Sequence, residues 1–135
     1  SSRARARDRR EARDNGPMRL SDDFSGIPRP SEHSSCDALI LPKNHFADLL
    51  ELDEATSSKV LALAAKIGAA MKKGLKCDGF NLVQNNGLAA GQTVFHFHMH
   101  VIPRYEGGPD MVNWKTGNPT QEELASLAEE IKAAL

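Results

Sequence analysis

The chain is poor in the features that mark secreted, membrane-bound or nucleic-acid-binding proteins. Its 135 residues include two cysteines, Cys36 and Cys77, which form no CxxC pair. They are too few for a disulfide framework, and this usage suits a reducing, cytoplasmic location. No apolar run approaches the ~20 residues that a membrane-spanning helix needs, and the N-terminus lacks the apolar centre of a secretion signal. The formal charge is only −1, which argues against nucleic acid as an obligatory partner. The length leaves room for one domain, and an apolar share of 40% with 26% charged residues is ordinary for a globular chain.

That near-neutral total averages two unlike parts. Residues 1–36 carry eight Arg against six acids, a net of +2, whereas residues 37–135 carry nine Lys and Arg against twelve acids, a net of −3. Residues 1–17 are Arg-rich and hold no aliphatic side chain larger than Ala before Pro17. Such a segment cannot bury enough surface to offset its ordering entropy, so it reads as a disordered basic tail. Residues 18–36, rich in Pro and Ser, read mostly as loop, with at most one short extended piece around Arg19–Phe24. His33 falls there as an exposed surface histidine.

From Asp37 onward the chain reads as a folded α+β domain, residues 37–135. Ala38-Leu39-Ile40-Leu41, closed by Pro42, has the length and composition of a buried strand. Asp53 caps a long helix over residues 54–73, with Val60, Leu63, Ala64, Ile67 and Met71 as its apolar stripe and Gly74 beyond its end. Phe80–Gln84 reads as a second strand. Residues 105–119 read as a loop anchored by Trp114. Thr120-Gln121-Glu122-Glu123 is a capping box that opens a C-terminal helix with the stripe Leu124, Leu127, Ala128, Ile131 and Leu135. The expected architecture is an antiparallel sheet of residues 38–42, 79–85 and 92–102, against which helices near 54–73 and 120–134 pack.

The third strand carries the chemistry. In Gly91-Gln92-Thr93-Val94-Phe95-His96-Phe97-His98-Met99-His100-Val101-Ile102, strand alternation puts His96, His98 and His100 on one face and Phe95, Phe97, Met99 and Val101 on the core face. Three of the chain's five histidines lie within five residues, which a merely structural strand does not require. Imidazoles on one face suit a metal ion, although no acid lies between Asp78 and Glu106 to complete a set of ligands. They suit chemistry at phosphorus better, because a neutral imidazole nitrogen is a nucleophile and a second imidazole can protonate a departing group. Asn85, Gly91, Gln92 and Thr93 offer amide, hydroxyl and close-approach backbone groups fit for phosphate oxygens.

With these residues in view, the chain resembles the histidine triad (HIT) family. His96-Phe97-His98-Met99-His100-Val101-Ile102 fits its signature of three histidines separated by apolar residues. Asn85, Gly91-Gln92-Thr93, the stretch Leu39–His45, and the downstream Ile102–Gly107 with Trp114 extend the likeness to the bacterial branch of histidine triad nucleotide-binding proteins. The resemblance implies a nucleotide phosphoramidase, or nucleotidyl hydrolase or transferase, working at the α-phosphorus through a covalent nucleotidyl-histidine. His98 would be the nucleophile, His96 would orient it, and His100 would meet the phosphate and leaving-group side. Asn85, Gly91, Gln92 and Thr93 would line the phosphate pocket. No metal or other cofactor is implied. The implied ligand is a purine nucleoside monophosphate or its phosphoramidate and ester derivatives, and the implied assembly is a homodimer. A non-catalytic purine nucleotide-binding protein is the alternative class.

The likeness stops at residue 37. Family members carry Gly-His where this chain has Cys36-Asp37, so Asp37 stands in for a fourth histidine and is expected to accept a hydrogen bond from His96. Residues 1–36 show no counterpart of the family's first strands, which predicts a smaller sheet and a weaker base pocket. Asp22 and Asp23 lie in the general region of the family's ribose-binding acid.

Overall fold

In a computed structural model of the chain, β3 (Asp37–Pro42) forms the middle of the sheet. The structure describes residues 18–29, 37–109 and 115–135. The expectations for the tail 1–17 and for His33, Cys36 and Trp114 lie outside these residues. Ala38 and Ile40 point from β3 into the core, while Leu39 and Leu41 point to the other, half-open face. On one side β3 pairs antiparallel with β2 (Phe24–Arg29), in a register running from Phe24↔Pro42 to Arg29↔Asp37. On the other it pairs antiparallel with β5 (Met99–Arg104), with Leu39 opposite His100. With the short β1 (Met18–Arg19) and with β4 (Gly79–Val83), the five-stranded order is β1-β2-β3-β5-β4.

The long helix α1 (Glu54–Gly74) covers the core face with Val60, Leu63, Ala64, Ile67, Gly68 and Met71. Asp53 caps it by accepting from the Thr56 N–H at 2.7 Å. Gly74 is its last helical residue and Leu75, not the glycine, is the C-cap, donating its N–H to the Met71 carbonyl. Gly68 has a packing reason: a Cβ there would strike the Phe80 ring from β4. Around Ile40, Phe97, Val101 and Phe24, all at most 1% exposed, each buried side chain contributes about 1.5–3 kcal/mol. Among the described residues no helix is long and apolar enough to cross a membrane.

Three expectations need correction. Residues 18–36 were expected to be mostly loop and to leave the sheet small. Instead Phe24–Arg29 pairs along the whole of β3, and Phe24 is fully buried. Gly26 and Pro28 hide this strand from a reading by propensity. β1 reaches only to Gly26, so among the described residues β2 is an edge beyond it, where a proline that lacks an N–H is tolerated. The strand expected over 92–102 begins only at Met99. Upstream of it the Phe97 N–H donates to the Phe46 carbonyl at 2.6 Å, so a loop replaces strand pairing. Phe97 still turns into the core, but Phe95 is half exposed instead of facing it.

The third correction concerns α2 (Gln121–Ala133). Thr120 caps it through the Glu123 N–H at 3.1 Å, yet it does not pack on the sheet. Among the described residues no strand or helix lies against it, and Leu124, Leu127 and Ile131 are 45–57% exposed. Periodicity identifies an apolar face without naming what covers it.

Candidate active site

Pro42 ends β3, and the chain turns through His45 and Phe46 to lie beside the loop that precedes β5. This brings four imidazoles and one carboxylate together from two segments far apart in sequence. His96 Nε2–H donates to the Pro42 carbonyl at 3.1 Å. A carbonyl oxygen can only accept, so in neutral His96 the Nδ1 atom is an acceptor. It faces His45 Nδ1 at 3.0 Å, which therefore supplies the proton. His98 Nδ1–H donates to the carbonyl of His96 at 2.8 Å, and the same reasoning leaves the lone pair of His98 on Nε2. His98 and His100 meet nearly edge to face, with centroids 5.1 Å apart.

Asp37 does not back His96 as expected. Its Oδ2 accepts from His100 Nδ1 at 3.1 Å. Leu39 pairs with His100 across the sheet, so Asp37, two residues earlier on the same face, is the diagonal neighbour of His100 and within side-chain reach. The role held open for Asp37 at His96 is filled by Pro42 and His45.

His96 and His98 form one wall of a pocket of about 250 Å³ whose other walls are Leu39, Leu41 and Val94. It is an apolar recess with two imidazoles on its rim. A larger hollow of about 460 Å³ lies beside Asp78, Arg104 and Glu106, but no histidine lines it. Among the described residues no group of three or more His, Cys, Asp or Glu side chains is gathered to hold a metal ion.

The four residues expected around the phosphate fall into two groups. Gly87 and Gly91 both take positive φ, 89° and 92°, which favours glycine, and the turn between them closes through Gly91 N–H to Leu88 O and Gln92 N–H to Gly87 O. Asn85 lies beside Gly91, its Nδ2 3.9 Å from where a Cβ on that glycine would sit, and Thr93 is exposed. Gln92 is buried beneath the loop. Its Oε1 accepts from the Gly87 N–H at 2.8 Å, and its Nε2 donates to Ala47 O at 2.7 Å and Val94 O at 3.1 Å. The side chain is thus engaged with the loop backbone. Asp23, in the region expected to meet a ribose, pairs with Lys59 at 2.9 Å.

Sequence reading assigned no role to His45. Its signal was the Leu39–His45 stretch itself, but nothing local tells that residue 45 and residue 96 meet.

Known proteins resemble this chain in sequence and in fold. A model described as the HIT domain matches residues 31–107. An uncharacterized HIT-like protein of Mycoplasma genitalium is 41% identical over 97 residues, 70% of this chain and 68% of that protein. An adenosine 5'-monophosphoramidase of Schizosaccharomyces pombe is 33% identical over 99 residues, 73% of this chain and 71% of that protein. Among solved structures, a HIT family protein from Bacillus anthracis superposes with a TM-score of 0.79 at 33% identity, covering 89% of this chain and 87% of that one.

Proposed function

The chain belongs to the histidine triad family, and from that premise we propose that it is a nucleotide phosphoramidase or nucleotidyl hydrolase acting through His98. The observation that carries this reading is the hydrogen bond from His98 Nδ1–H to the His96 carbonyl. It leaves the lone pair of His98 on Nε2, where it can act as a nucleophile, beside a recess walled by Leu39, Leu41 and Val94. In the proposed reaction His98 Nε2 bonds to the α-phosphorus while the bond to the leaving group breaks, and that group departs with the electron pair. Water then attacks the nucleotidyl-histidine, releases the nucleoside monophosphate and frees His98. Asn85, Gly91 and Thr93 border the phosphate position, and Gln92 holds their loop from beneath. The name of the Schizosaccharomyces pombe relative supports a purine nucleoside monophosphate derivative as the substrate class.

The expected assembly is a cytoplasmic homodimer. β4 is an edge of the sheet and α2 has an uncovered apolar face, surfaces that a second copy would cover.

Rapid quenching with adenosine phosphoramidate tests the reading. Intact-mass and peptide mapping should find an adenylyl group on His98 in the wild type and none in a His98→Asn variant. Wild-type protein that binds AMP as tightly as His98→Ala, with no adduct and no turnover, would instead establish the binding-only class.

A further inference from the structure

Asp37 is a charged side chain that the proposed reaction has not used. It opens β3, is 4% exposed, and holds its Oδ2 against His100 Nδ1 at 3.1 Å. Burying a carboxylate is costly unless it is paired and hydrogen-bonded, and His100, whose side chain is only 17% exposed, is one partner of it. The pairing has a chemical consequence. A carboxylate accepts a hydrogen bond from Nδ1–H, so the other ring nitrogen, Nε2, is the one left to exchange a proton with a reacting group. Asp–His pairs in hydrolases orient their imidazole in the same way and balance its charge when it carries two protons. His100 stands edge to face with His98, the ring centroids 5.1 Å apart, so the two imidazoles are neighbours.

We infer that Asp37 is a positioning residue that makes His100 the proton donor to the leaving group, and so selects leaving groups that depart as amines. The inference rests on the nucleotidyl-transfer reading above and deepens it. As His98 Nε2 bonds to the α-phosphorus, the phosphorus–nitrogen bond breaks and its electron pair stays on the nitrogen. That nitrogen takes the Nε2 proton of a doubly protonated His100 and leaves as a neutral amine, while the now neutral ring keeps its Nδ1–H on Asp37. In the second half, water gives a proton to His100 Nε2 as its oxygen bonds to phosphorus and the His98–phosphorus bond breaks. Leaving groups that depart as stable anions gain little from the donor.

The test compares two adenosine 5'-monophosphate derivatives, an alkylamine phosphoramidate and a 4-nitrophenyl ester, in the wild type and in Asp37→Asn. The ratio of kcat on the amine substrate to kcat on the phenolate substrate should fall at least tenfold in the variant. An unchanged ratio, whether both rates drop together or neither drops, would overturn the inference. Should Asp37→Asn fail to fold, nitrogen–proton NMR of the wild-type imidazoles decides: His100 must carry Nδ1–H, and a His100 protonated only at Nε2 overturns the assignment. Failure of the underlying reading looks different, because wild type would then release AMP from neither substrate.

Discussion

His45 and His96 share one proton across a 3.0 Å Nδ1–Nδ1 contact, with rings tilted by 59°. The Pro42 carbonyl fixes the far nitrogen of His96 as a donor, so the shared proton rides on His45 when both rings are neutral. His96 in turn supplies the carbonyl that orients His98. His45 is exposed and therefore contributes little to stability, but it holds the ring of His96 against the pocket wall. A His45→Ala variant should keep the wild-type melting temperature. Its kcat should fall about fivefold, the equivalent of about 1 kcal/mol of lost orientation. Steady-state turnover beside a thermal melt checks both halves.

Gln92 should behave in the opposite way. Replacing it by Ala strands the Gly87 N–H and the Ala47 and Val94 carbonyls, three backbone groups that it now satisfies. Water can reach some of them once the side chain is gone, so the expected loss is about 2–3 kcal/mol rather than the full sum of three unpaired groups. Urea denaturation should record that loss. Turnover of the fraction that remains folded should drop as well, because the loop between Gly87 and Val94 loses its anchor.

What the sequence made legible follows the range of each signal. The apolar run of β3, the stripe of α1 and both N-caps are local patterns, and they stand where periodicity and capping chemistry put them. Phe97 and Val101 turn inward as alternation requires, but Phe95 is half exposed, upstream of β5 in the loop whose Phe97 N–H bonds to the Phe46 carbonyl. β2 was illegible because its stability comes from pairing with β3, not from the propensities of Gly26 and Pro28. The triad was legible as a motif. Its partners were legible only in part: Asp37 was expected at His96 and sits at His100, while Pro42 and His45 were not foreseen, since all three reach the histidines only through sheet register and a turn 51–63 residues away in sequence.

Asp53 gives a pH dependence with a defined sign. Hydrogen bonds from the Thr56 side chain and from its backbone N–H hold the Asp53 carboxyl below its ordinary value of 3.8, with Lys59 adding a smaller attraction. A carboxyl depressed in the folded state stabilises it above the unfolded value and loses that contribution as pH falls through the folded value. The melting temperature of Asp53→Ala should therefore lie below wild type at neutral pH, and the gap should narrow as pH falls below the ordinary value of 3.8. A constant gap across that range would mean that the cap acts without its charge.

The C-terminal helix yields the last expectation. Thirteen residues form α2, and isolated helices shorter than about 12–15 residues are marginal in water without tertiary packing. Leu124, Leu127 and Ile131 lie half exposed along one face, which is the surface such a helix normally buries. If a second copy supplies the cover, Leu127→Glu places a charge in the seam and should shift the protein from dimer to monomer. Sedimentation velocity at micromolar concentration reads this directly, and far-ultraviolet circular dichroism should show helix content falling with it. Wild-type protein that sediments as a monomer with full helix content would remove the second copy from the account. The helix would then have to be stable through its Thr120 cap and its Lys132–Glu129 pair at 3.2 Å. That surface pair contributes at most about 0.5 kcal/mol, too little to hold a helix whose apolar face meets only water.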